Sequence, residues 1–476
     1  MRHTLRRSCS ACAKSKHSCD LGTPRCSRCI KRGIQCLYAN EPLTAVSPGV
    51  DKSALSGSLS RYRFASLDPF DSYPPTRLHR DHVQRLIHVF CHKIAFQYYP
   101  LDLNAATNPF LVSWWPLALG DPALFNISLQ AACLDEELLA QKGFHTSELL
   151  MADSVALLRR KVQDASLAVQ DGTMNSVITL ATIEFGKGNI KVAEMHVDGV
   201  KRLVELRGGI NAVRQTSPLT ARMVSWVSML IMGHPQFETQ DDAGVGHGIP
   251  PIPEWQWDPS AHLDVVPELS GVGISSEVRN VFLRLRNVFH CAQTIPLPST
   301  RLHDLTCFVI HRLLLSVPDT ASSQSSVLTE CVRYATILYM FTIQGPTYYS
   351  HAVIFNQILN QFAERFKEIE SMPHIYNSLH VWLVTIGMAA SAGTPHYQWF
   401  TDTARAVAAL LQLGGWDDVL SGIQSILWLE THGSHCTFQV HWGPVLDVAS
   451  HAEPPGPQVV AARLSPGATR LSIGFI

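Results

Sequence analysis

Six cysteines near the amino terminus form the densest set of chemically capable side chains in the chain. They fall as Cys9-x2-Cys12-x6-Cys19, then six intervening residues, then Cys26-x2-Cys29-x6-Cys36. The second half repeats the spacing of the first, so the segment reads as two copies of one half-motif. Zinc takes thiolates about 2.3 Å away in a tetrahedron, and a C-x2-C turn delivers two of them from one short loop. Two separate closed four-thiolate sites would need more sulfurs than this segment holds. The economical arrangement is a pair of Zn²⁺ ions sharing two bridging thiolates. By the internal symmetry, the first cysteine of each half is the natural bridge. Cys9 and Cys26 then touch both ions, Cys12 and Cys19 complete one site, and Cys29 and Cys36 complete the other. The cluster keeps a charge of about −2, which Lys14, Lys16, Arg28, Lys31 and Arg32 can offset while still facing phosphates. So short a segment has almost no apolar core, and metal must supply its folding free energy, on the order of 10–16 kcal/mol for structural zinc.

The elements around this module follow from length and charge. A chain of 476 residues holds two to four units at roughly 150 residues each. Its 46% hydrophobic and 16% charged residues describe a globular protein, and the net charge of −1 hides a division. Residues 1–38 carry nine Lys or Arg against one acid, Asp20, for +8; the remainder carries −9. A basic head on an acidic body predicts a polyanionic partner for the head alone. The first residues are Arg-rich and lack an apolar h-region, and the most apolar run, Val381 to Ala392, is too short to span a bilayer. The expectation is a soluble intracellular protein with no membrane partner. In a reducing compartment, paired C-x2-C spacings read as metal ligands. Cys91, Cys133, Cys291, Cys307, Cys331 and Cys436 are scattered singly and read as buried or idle thiols.

Four segments are expected: the cluster at 1–38, a flexible linker at 39–76, a helical body at 77–445 and a loosely ordered tail at 446–476. The linker is rich in Pro, Gly and Ser and shows no heptads, so no coiled coil follows the cluster. In the body, Val83, Leu86, Ile87 and Phe90 share one helical face. Asp121-Pro122 places an N-cap acid before a first-turn proline, opening a helix to about Ala140 that stops near Gly143. Thr173 can cap a helix that Gly186 to Asn189 breaks. A second helix from Ile190 carries Val192, Met195, Gly199, Leu203 and Leu206 on one stripe, widened by Val200 and Val204, and ends at Gly208-Gly209. Residues 234–275 read as a long surface loop. Helices resume near 276–294, 301–316, 325–343, 351–370, 376–391, 395–413 and 417–430, with no competing strands. The fold class is mainly α.

The cysteine module, with Pro24 before the fourth cysteine, resembles the fungal binuclear zinc cluster transcription factors over residues 9–36 without a gap. That resemblance implies two short helices related by a pseudo-twofold axis, and double-stranded DNA as partner, with the first helix pointing its C-terminal end into the major groove. It also implies two Zn²⁺ ions per chain, a nuclear location, regulation of RNA polymerase II transcription, and DNA contacts from Lys14, Lys16, His17, Arg25, Arg28, Lys31 and Arg32. Lys16 falls where relatives read guanine edges of a CGG-like triplet. Ala13, Ser15 and Ser18 replace residues that are commonly basic. The Ala-x-Ser-Lys run resembles the branch that includes regulators of aflatoxin-type secondary metabolism. The body is similar, more loosely, to the family's helical regulatory domain, best at 180–189 and 195–210. Such bodies relay small-molecule effectors, recruit coactivators or form homodimers.

Two readings compete: a DNA-binding regulator, and a helical sensor or interaction scaffold with a weakened head. An enzyme is not expected. Gly244-Val-Gly-His-Gly248 is a fragment of a dinucleotide fingerprint without its strand or helix. His432, His435, Cys436 and His441 cluster more by chance than as metal ligands. Trp114-Trp115 reads as core packing.

Overall fold

The computed structural model describes residues 10–19, 26–36, 72–141, 143–256, 274–316, 323–345, 347, 350–371, 376–431 and 433–449. Cys9, Arg25, His432, most of the expected linker and residues 450–476 lie outside the described residues. The chain divides into two compact units, Met1–Arg63 and Phe64–Ile476. Among the described residues the first holds two five-residue helices, α1 (Ser10–Lys14) and α2 (Ser27–Lys31).

The second unit is helical, and among the described residues its one β feature is an isolated parallel bridge, Thr239 to Ile249. Its longer helices are α3 (Arg80–Val89), α4 (Pro122–Ala140), α5 (His145–Gln163), α6 (Asp171–Gly186), α7 (Ile190–Leu206), α8 (Pro218–Met232), α9 (Ser276–Thr294) and α10 (Ser299–Leu315). They continue as α11 (Ser323–Gln344), α12 (Ala352–Glu370), α13 (Ser378–Ser391), α14 (His396–Leu411), α15 (Trp416–Ile426) and α16 (Ser434–Ala449). Chain neighbours pack as hairpins: α4 on α5, α6 on α7, α11 on α12, α13 on α14. Across them, α6 touches α4 and α8, and α13 touches α11, α15 and α16. In α4 from Ala123 to Cys133, in α6 from Gly172 to Ala181 and in α13 from Leu379 to Met388 every residue is buried, as expected of helix segments enclosed on all sides.

Local chemistry sets the helix ends. Asp121 caps α4, its Oδ1 accepting from the Ala123 and Leu124 amides at 3.0 and 3.3 Å. The same carboxylate meets the Lys161 ammonium of α5. The helix ends at left-handed Gln141 (φ 52°), two residues before the expected Gly143. Four fully buried tryptophans fill the core, and each indole N–H finds an acceptor at 2.9–3.0 Å: Trp114 on Ser128 Oγ, Trp255 on Asp242 Oδ1, Trp382 on the Leu427 carbonyl, Trp442 on Thr385 Oγ1. A buried indole left unpaired would be costly, so these bonds fix ring orientation as well as depth. Asp304 of α10 is buried against Arg222 of α8, which donates at 2.7 and 2.9 Å, and Arg214 donates at 2.9 Å. Burial pushes this carboxyl's pKa up, but the Arg222 hydrogen bonds and the two guanidinium charges outweigh it and hold the group below its ordinary value.

Four expectations are corrected. Thr173 lies inside α6, which starts two residues earlier with Gln170 as N-cap; its hydroxyl donates to the Leu167 carbonyl instead. The α7 stripe is rotated: Ala193, Val197, Val200, Leu203 and Val204 are buried, while Met195 and Leu206 are 60% and 72% exposed. The described part of 234–275 is more than surface loop, since Ile249, Ile252 and Trp255 are buried and Trp255 packs edge-on against Phe308. Helix α16 runs past the expected body–tail boundary to Ala449, through Pro444.

Candidate metal centre and nucleic-acid interface

The interior of the head is built from sulfur. Among the described residues Cys12, Cys26, Cys29 and Cys36 are its buried ones, with Ala11 and Cys19 packed against them. The Cys12, Cys26 and Cys29 thiols lie within 4.8 Å of one another, the one group of three or more ligand side chains placed to hold a metal ion among the described residues. Cys12 Sγ and Cys26 Sγ are 3.7 Å apart. Two thiolates on one tetrahedral zinc, each about 2.3 Å from it, stand about 3.8 Å apart. The donor set therefore fits zinc.

Backbone amides brace the sulfurs. Cys26 is the N-cap of α2 and its Sγ accepts from the Cys29 amide at 3.4 Å; Cys36 Sγ accepts from the Cys26 amide, also at 3.4 Å. These bonds help fix where the two sulfurs sit.

The two half-motifs fold alike. Ser15 N donates to the Ala11 carbonyl at 3.1 Å, and Arg32 N to the Arg28 carbonyl at 3.2 Å. His17 N donates to the Cys12 carbonyl at 3.1 Å, and Ile34 N to the Cys29 carbonyl at 3.2 Å. Each half turns through a left-handed residue at the matching place: Gly33 at φ 60° in the second, Lys16 at φ 53° in the first. An L side chain there costs roughly 1–2 kcal/mol, which glycine escapes.

Of the expected DNA contacts, Lys14, Lys16, His17, Lys31 and Arg32 are exposed and Arg28 is half-buried. His17 Nδ1 turns back against the Ser15 carbonyl. Four of the isolated cysteines of the body are core and Cys291 is half-buried: burial pushes the Cys91, Cys133 and Cys307 thiols up to about 12, with nearby Glu137 adding to the effect at Cys133, and Cys331 is also raised.

Among the described residues, the other sequence candidates do not converge. His435 pairs with Glu430 at 3.0 Å, His441 accepts or donates to Tyr397 Oη at 3.1 Å, and Cys436 is exposed. Gly248 is steric in purpose: a Cβ there would stand 2.3 Å from the Glu238 carbonyl, where the Ile249 amide makes its 2.8 Å bond. Trp114 and Trp115 are both buried. Sequence reading missed a cleft of about 690 Å³ between α4, α5, α6 and α8, walled by Leu134, Leu138, Phe144, Ile183, Leu230 and Ile231. Its walls come from distant stretches of chain, and no local pattern marks them. No described helix is long and apolar enough to cross a membrane.

Comparison with known proteins places these features. Residues 7–44 match the fungal Zn(2)-Cys(6) binuclear cluster domain, and residues 85–233, from within α3 to the end of α8, match the fungal specific transcription factor domain. A Zn(2)-C6 fungal-type transcription factor, aoiH, of Aspergillus oryzae is 60% identical over 35 residues, which are 7% of this chain and 9% of that protein. The geodin cluster transcription factor of Aspergillus terreus is 58% identical over 36 residues, 8% of this chain and 16% of that one. The chain thus aligns with a small part of either relative's length. No solved structure matches.

Proposed function

We propose that this chain, which joins the two domains of the fungal binuclear zinc cluster transcription factors, is a zinc-dependent regulator that binds DNA sequence-specifically and acts on RNA polymerase II transcription in the nucleus. The observation that carries the reading is Lys16. A strained left-handed lysine stands where the other half-motif uses glycine, and strain of this kind persists where the side chain is used. In this reading Lys16 reaches a base edge of a CGG-like triplet, and Lys14, His17, Arg25, Arg28, Lys31 and Arg32 neutralise phosphates around it.

Two zinc ions would be held by Cys9, Cys12, Cys19, Cys26, Cys29 and Cys36. Bound zinc supplies the rigid frame of the head. The chain's own residues do the recognition: α1 carries Lys14 in its last turn, and the turn after it presents Lys16 and His17. The output is regulatory rather than catalytic. The match to the geodin cluster relative lies in this segment and, with the Ala-x-Ser-Lys run, supports a pathway-specific role in secondary metabolism.

The test is a gel-shift titration of the zinc-loaded full chain on CGG-containing and scrambled duplexes at moderate salt. Preferential binding to CGG is expected, with log affinity falling by about 0.9 per phosphate contact per unit of log salt. Equal binding to both duplexes rejects the reading. A second reading, a body that senses a small molecule or recruits a coactivator, is favoured by the cleft, whose volume and mainly apolar lining suit an organic effector. Homodimerisation through the body is part of the proposal.

A further inference from the structure

Helix α7 covers only part of its apolar surface. At 3.6 residues per turn, Val192, Met195, Gly199 and Leu206 fall roughly a third of a turn away from the stripe that packs into the body. Val192 is 38% exposed, Met195 60% and Leu206 72%. One flank of this outer stripe is formed by Lys191, Asp198, Arg202 and Glu205. All four are exposed, and among the described residues none of them is held in an ion pair.

The order of these charges is informative. Read along the helix they run plus, minus, plus, minus, which is its own complement when reversed and a clash when laid parallel on itself. The pairs Lys191 with Glu205 and Asp198 with Arg202 have midpoints within one residue of Gly199. Gly199 also lies at the centre of the apolar stripe, at its edge toward α6, where an added Cβ would stand 3.9 Å from the Val177 side chain.

We infer that α7 is a homodimerisation helix, pairing antiparallel with α7 of a second copy about a twofold axis at Gly199. Val192 of each copy lies beside Leu206 of the other. Lys191 faces Glu205 and Asp198 faces Arg202 across the seam. The pairing is isologous, as a closed twofold interface requires. A single helix pair buries less than the roughly 1,200 Å² of a stable standard interface, so association is weak in free solution. It strengthens when two heads share one duplex, through effective concentration. The inference rests on the reading that the body self-associates and is independent of DNA recognition.

Sedimentation velocity of the zinc-loaded full chain without DNA, over a concentration series, tests it. A reversible monomer–dimer equilibrium is expected. Lys191→Glu with Arg202→Glu makes the whole flank acidic, and Asp198→Lys with Glu205→Lys makes it basic; each double variant alone weakens dimerisation about tenfold or more. Mixed in equal amounts, the two variants regain wild-type association. Because all four positions are exposed, circular dichroism should be unchanged. A wild-type chain that stays monomeric overturns the inference. So does a dimer that neither reversal weakens, although the broader self-association reading then survives. Loss of CGG preference with an intact, charge-dependent dimer would instead reject DNA recognition and leave α7 pairing established.

Discussion

The head and the body hold themselves together by different means. The head buries Cys12, Cys26, Cys29 and Cys36 and leaves its isoleucines outside, Ile30 at 61% and Ile34 at 43% exposure. The body does the opposite: tryptophans, phenylalanines and aliphatic residues fill it, and Cys91, Cys133, Cys307 and Cys331 are passengers in that core. Cohesion in the head is therefore coordination chemistry, and in the body it is removal of apolar surface from water. One chain can in consequence lose either unit's stability without the other's, under conditions set by different equilibria.

Metal removal should break the comparison most sharply. Chelation is expected to withdraw stabilisation on the order of 10 kcal/mol from the head, abolishing DNA binding, while the helical signal of the body persists. Circular dichroism and gel shift on the same chelated sample check both halves; a body that melts with the head would refute the division.

Mild acid should act on the body. His303 and His311 are buried and neutral, with pKa values pushed down from 6.5 to about 4, chiefly by burial. Arg222 and Arg214 add to the depression at His303, whereas Asp304 opposes it, as the Cys307 carbonyl bond does at His311. Unfolding lets both rings protonate near their ordinary value, so the unfolded state takes up more protons below pH 6.5. Stability is full above pH 6.5 and falls as the pH drops toward 4, by about 3 kcal/mol per ring. Asp304, held below its ordinary value by Arg222 and Arg214, adds a further loss at lower pH still. Thermal melts of the body across this range check the sign, and His311→Gln should flatten the slope.

The smallest effect sharpens the head alone. Lys16→Gly relieves the left-handed strain and is expected to stabilise the zinc-loaded head by about 1 kcal/mol while relaxing base discrimination by about 1–3 kcal/mol. Chelator competition measures the first and gel shift the second. A tighter head with unchanged discrimination would show that Lys16 does not read a base.

The cluster was legible because coordination demands fixed residue types at fixed spacing. Much of the body was legible for a related reason: Asp121 before Pro122 is a local signal for a helix start, and α4 begins there. Failures arose where distant groups decide. Helix α6 begins before Thr173, and Gly172 in its first turn lies so close to Asp121 that a Cβ would stand 1.8 Å from Oδ2, a constraint absent from the local sequence. On α7 the apolar arc is wider than the buried stripe, and sequence cannot say which edge faces inward. In α16, Gly443 and Pro444 argue against a helix, yet Trp442 is anchored on Thr385 and tertiary packing overrides propensity. The left-handed turn at Lys16 had no signal in its own half and could be suspected only by setting it beside Gly33.

The distribution of indoles has an optical consequence. All ten tryptophans of the chain lie at or beyond Trp114, and four of them are sealed in the core with their N–H groups bonded. Tryptophan fluorescence therefore reports on the body and is silent about the head. An emission spectrum that holds steady through zinc stripping, then shifts to the red as the rings of His303 and His311 take up protons, would let a single cuvette follow the two units in turn.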